Sequence, residues 1–123
     1  MTTLDYLDFD FSEEADGSGS FDAVASVGPQ QLAAVHAEIV VVFNWAHATF
    51  AGQRAPLDDG GAWDFDLQSL QEWSLSETLT YDEDSGQLDV DAGTTGAPRH
   101  TVSLSIVGSA DFCAAFRAQF EID

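Results

Sequence analysis

Seven aspartates occupy alternate positions in stretches that otherwise read as strands: Asp8, Asp10, Asp22, Asp64, Asp66, Asp89 and Asp91. Asp is depleted in strands, so this number is unusual. Each stretch alternates acid with apolar residues such as Leu7, Phe9, Phe21, Trp63, Phe65, Leu88 and Val90. Period two turns the apolar set to a core and the carboxylates to water. Alternate residues of one strand lie ~6.6 Å apart, so the expectation is a ruled array of carboxylates on a rigid sheet face. Such an array can receive a cationic partner and imitate a run of phosphates. Two plainer readings compete with it. One is a solvated face whose charge prevents edge-to-edge strand pairing. The other is a salt-adapted chain in which acid replaces Lys throughout.

Other reactive side chains form no constellation. His36 and His47 are eleven residues apart on one side of a helical segment. That is ~16 Å, too far for one metal ion. No Cys–His spacing of the zinc type occurs, so no metal and no cofactor is assigned. Asp82-Glu83-Asp84-Ser85-Gly86 begins like a calcium loop, but Gln87 and Gly93 stand where that loop needs Gly and Glu. Asp58-Asp59-Gly60-Gly61 is a second acidic loop without specific ligand spacing. Cys113 falls in the first turn of a helical segment, where the dipole can lower a thiol pKa, but Phe112 and Phe116 flank it and packing is expected. There is no G-x-S-x-G, P-loop or G-x-G-x-x-G pattern. No catalytic residue is assigned, and paired carboxylates carry little information in so acidic a chain.

The charge itself sets limits. The 123 residues include 22 acids and 3 bases, all Arg, for a net charge of −19. Binding to a phosphate backbone needs Lys and Arg, so direct nucleic-acid binding is not expected. Anionic lipid is disfavoured in the same way. The acid is spread over both halves, ten residues before position 62 and twelve after it. With 45% apolar residues the chain can still bury a core, and its length fits a single domain over 1–123. The lone Cys113, an N-terminus without a basic or continuously apolar stretch, and a longest apolar run of Ile39–Phe43 point to a soluble cytoplasmic protein.

These residues need elements to position them. Strands are expected over 4–11 and 21–27, joined through the Gly-rich turn 13–20. Pro29 opens a helix in which Leu32, Val35, Ile39, Phe43, Ala46 and Phe50 recur at helical spacing, and Gly52 ends it. Alternation returns in 63–68, 77–81, 87–91 and 101–106, with a loop over 92–98. Ser109 caps a last helix carrying Phe112, Phe116 and Phe120. The order ββαββββα predicts an α+β, two-layer fold. Its mainly antiparallel sheet has about six strands, and one long and one C-terminal helix lie on one face.

Residues 29–57 hold one acid, Glu38, and one base, Arg54, and are therefore neutral. Val41 and Trp45 form an i, i+4 pair away from the core stripe. A neutral apolar surface with a Trp is a typical contact, so a homodimer or partner interface is expected through helix 29–51. The composite expectation is a small, acidic, non-enzymatic interaction protein, an inhibitor, immunity-type or regulatory module, that presents its carboxylate face to a basic protein. The alternative is a salt-adapted α+β domain that binds or transforms a small molecule.

Overall fold

The computed structural model describes residues 1–123. The elements run β1 (Asp10–Glu13), β2 (Gly19–Val27), α1 (Pro29–Thr49), β3 (Trp63–Glu72), β4 (Leu75–Asp82), β5 (Gln87–Thr95), β6 (Arg99–Gly108) and α2 (Ala110–Phe120), with a short 3-10 turn at Leu57–Asp59. The protein is α+β in the expected order, and every strand pair is antiparallel. The six strands divide unequally. Four form a sheet in the order β1-β2-β6-β3, and β4 and β5 form a separate two-stranded ribbon.

Local chemistry explains the boundaries. Leu7 and Phe9 are buried and Asp8 and Asp10 exposed, as alternation requires, although the ladder itself begins only at Asp10. Ser109 caps α2, its Oγ accepting from the Phe112 N–H at 3.3 Å. Gly108 is buried against Phe112, and a Cβ there would run into that ring. Gly86, at φ +69°, makes the tight turn between β4 and β5.

One face of the four-stranded sheet is the core. Phe21, Ala23 and Ala25 of β2, Val102, Leu104 and Ile106 of β6, and Trp63 of β3 meet Val35, Ile39, Val42 and Ala46 of α1 and Phe112, Phe116 and Phe120 of α2. The aromatic rings interlock along α2, with Phe116 4.5 Å from Phe21 and 4.8 Å from Phe120 between centroids. α1 is long and apolar enough to cross a membrane, with mean hydropathy 1.2, and its inner stripe is buried on the sheet.

The long helix departs from one expectation. Trp45 does not stand clear beside Val41. It turns toward α2, with centroids 5.8, 5.7 and 5.6 Å from Phe112, Phe116 and Phe120. The cause is the second helix: a neighbour on the same sheet face covers one flank of α1, and Trp45 lies on that flank. Val41 is 43% exposed.

The segment expected as a loop over 92–98 is β5 as far as Thr95. β4 and β5 are exposed along nearly their whole length. They extend the β3–β6 ladder past its last pair, Glu72 with Arg99, as an arm beyond the helices.

Candidate carboxylate face

The second face of the four-stranded sheet carries no helix. Its rows can be read directly from the register. Asp10 pairs with Asp22, Asp22 with Ser105, and Ser105 with Asp66, so one row crosses all four strands as Asp10, Asp22, Ser105 and Asp66. The adjacent row is Ser12, Ser20, Val107 and Asp64. On the other side lie Val24, Ser103 and Gln68. Neighbouring strands are ~4.8 Å apart, so Asp10 and Asp22 are in direct cross-strand opposition. Asp66 stands one strand further over, past the small Ser105.

That arrangement opposes the fold locally. Like charges directly opposite one another are destabilising, and no base pairs with Asp10, Asp22 or Asp66. The chain's one ion pair joins Arg54 Nη1 to Asp64 Oδ1 at 3.0 Å, both partly exposed, with the guanidinium 5.3 Å from the Phe65 centroid. The other arginines are engaged elsewhere. Arg99 donates to Ser26 Oγ and to the Ser26 carbonyl, both at 2.8 Å. Arg117 lies over Phe11 at 4.7 Å and donates to the Ile122 carbonyl.

The seven aspartates do not share one platform. Asp10, Asp22, Asp64 and Asp66 occupy the open face of the sheet, and Asp8, just before β1, is exposed in phase with Asp10. Asp89 and Asp91 are on the arm, opposite Thr80 and Thr78. They lie beyond the sheet because β5 pairs only with β4.

Residues outside the alternation pattern join this face at its edge. The β1–β2 turn and the loop before β3 bring Glu14, Ser20, Asp58 and Asp64 around an open concavity of about 470 Å³. Glu14 and Asp58 sit in turns, where no periodicity marks a direction. Only the Thr101, Ser103, Ser105 alternation signals in sequence that the middle of the face is small and polar. In the β1–β2 turn, the Ser18 hydroxyl donates to Asp16 Oδ1 at 2.6 Å and the Ser18 N–H donates to it at 3.0 Å. These bonds hold the Asp16 carboxyl below its ordinary pKa.

The remaining candidates are dispersed. His36 and His47 are exposed on α1, and His100 is buried in β6. His47 packs against Trp63 at 5.0 Å. Three or more His, Cys, Asp or Glu side chains nowhere converge on a common point for a metal ion. Cys113 is buried, its Sγ 3.4 Å from the Gly108 carbonyl, and burial pushes its pKa up. No family model, curated protein or solved structure matches the chain.

Proposed function

We propose that the protein is an acidic binding module whose open sheet face receives a cationic protein segment. The observation that carries this reading is the row Asp10, Asp22, Ser105, Asp66, in which unneutralised carboxylates oppose one another on a rigid sheet. A Lys- or Arg-rich segment laid across it relieves that repulsion and gains charge-assisted hydrogen bonds. The small Ser103 and Ser105 leave room for long cationic side chains between the aspartates.

The alternative, a salt-adapted domain acting on a small molecule, draws on the concavity at Glu14, Asp58 and Asp64 and on acid distributed beyond the sheet, as at Asp89, Asp91 and Glu121. Titration with an octalysine peptide, followed by backbone amide shifts, separates the two. The module reading expects the first and largest shifts at Asp22, Asp66, Ser103 and Ser105. It also expects their disappearance at ~0.5 M NaCl, where screening acts over a few Å. Replacing Asp10, Asp22 and Asp66 together by Asn is expected to abolish them. Shifts scattered evenly over all acidic segments would favour the salt-adapted domain.

A further inference from the structure

The β4–β5 arm has one polar and one apolar side. Cross-strand pairing puts Thr78 with Asp91 and Thr80 with Asp89 on the first. Leu79 with Val90, Tyr81 with Leu88 and, nearer the sheet, Glu77 with Ala92 fall on the second, where the four large apolar residues are 57–61% exposed. An isolated two-stranded hairpin is marginal in water, and an exposed apolar strip in a chain of charge −19 calls for a cover. The arm cannot find that cover on its own helix. It leaves the sheet past Glu72 and Arg99, while α1 starts at that same end and runs back over the sheet.

A matching surface exists on α1. Its outward side carries Ala33, Ala34, Ala37, Val40 and Val41, all exposed. The helix has one acid, Glu38, and that carboxylate is already occupied by the backbone N–H groups of Asp5, Tyr6 and Leu7 at 2.9–3.2 Å. The lengths also agree: eight residues of β4 span ~27 Å and 21 residues of α1 span ~31 Å.

We propose that the arm of one copy lies along the outward side of α1 in a second copy, reciprocally, to make a symmetric dimer. Area distinguishes this from the simpler face-to-face pairing of two arms. An arm face ~27 Å long and ~10 Å wide covers ~270 Å². Reciprocal arm-on-helix docking buries about four such faces, ~1,100 Å², and reaches the ~1,000 Å² of a specific interface. Two arms face to face bury half as much. On charge, Glu77 is the one carboxylate of the paired strands on the docked side, Asp89 and Asp91 stay in water, and the acidic sheet face is left free.

Sedimentation equilibrium of the full chain in 0.5 M NaCl is expected to show a dimer at ~100 μM. Leu79→Asp on the arm and Val41→Asp on the helix are each expected to raise its dissociation constant at least ~10-fold, since each buries an unpaired charge. Both positions are exposed in the single chain, so the far-UV circular dichroism is expected to be unchanged. The pairing is read by mixing Leu79→Cys protein with Val41→Cys protein and adding a short bismaleimide, the native Cys113 being buried. Heterologous cross-links in excess of self cross-links are expected. A monomer at ~100 μM, or cross-linking of Leu79→Cys to itself as its main product, would overturn the proposal.

Discussion

Glu38 shows how much a single residue's role can depend on the folded chain. In sequence it is the one acid between Asp22 and Asp58. In the structure its carboxylate accepts three backbone N–H groups at residues 5–7 and so ties the N-terminal segment to α1. No pattern at 5–7 announces this, because the cradle exists only once Leu7 and Phe9 enter the core. Glu38→Ala leaves those donors without their acceptor, at a cost of about 1–3 kcal/mol in urea unfolding, and Glu38→Gln is expected to recover part of it. Asp22 points the other way. Its opposition to Asp10 costs about 0.2–1 kcal/mol, so Asp22→Asn is expected to raise stability at low salt while weakening octalysine binding. Both effects in one variant would identify a carboxylate kept at the expense of the fold. Cys113 was legible as a packed residue from Phe112 and Phe116. With its pKa raised by burial, the thiol is expected to resist a disulfide reagent at pH 8 in the native protein and to react on unfolding.

Among the elements, stretches that alternate were readable, including the exposed 77–81 and 87–91, and stretches that do not alternate were not. β6 alternates Val102, Leu104 and Ile106 with Thr101, Ser103 and Ser105, and the burial follows that alternation residue by residue. β5 past Asp91 reads Ala-Gly-Thr-Thr and is exposed throughout, so burial imposes no period on its sequence. α1 was legible as a helix, but its flanks were not. Sequence gives the angle between Val41 and Trp45, whereas only the docking of α2 decides which side of the stripe is covered. Trp45 consequently belongs to the helix–helix seam, and Trp45→Ala is expected to cost about 3–5 kcal/mol. Trp45→Glu is expected to unfold the protein rather than to dissociate it. Hydrogen exchange tests the arm as an element. Its amides should be the first of any strand to exchange at ~1 μM and should gain protection at ~100 μM, where the second copy covers them.

For the molecule as a whole, charge and topology act together. With 22 acids, three arginines and a single ion pair, self-repulsion acts over the entire surface. Much of the acid lies on parts with little packing of their own, including the turns at Glu14 and Asp58 and the arm at Asp89 and Asp91. The core beneath is compact and aromatic, so it fixes one sheet face and two helices and leaves the charge to the periphery. Adding salt shortens the reach of repulsion from ~30 Å at 0.01 M to a few Å near 0.5 M, and with it the penalty on the compact state. The melting temperature is therefore expected to climb steadily with NaCl across that range. The same screening lets two chains of charge −19 approach, so the concentration dependence of melting is expected to appear only at the high-salt end. The two slopes have separate origins: Leu79→Asp is expected to remove the dependence on protein concentration and to leave the dependence on salt intact. A melting temperature that is flat in NaCl would mean that the carboxylates are neutralised within the fold, which the single Arg54–Asp64 pair cannot do.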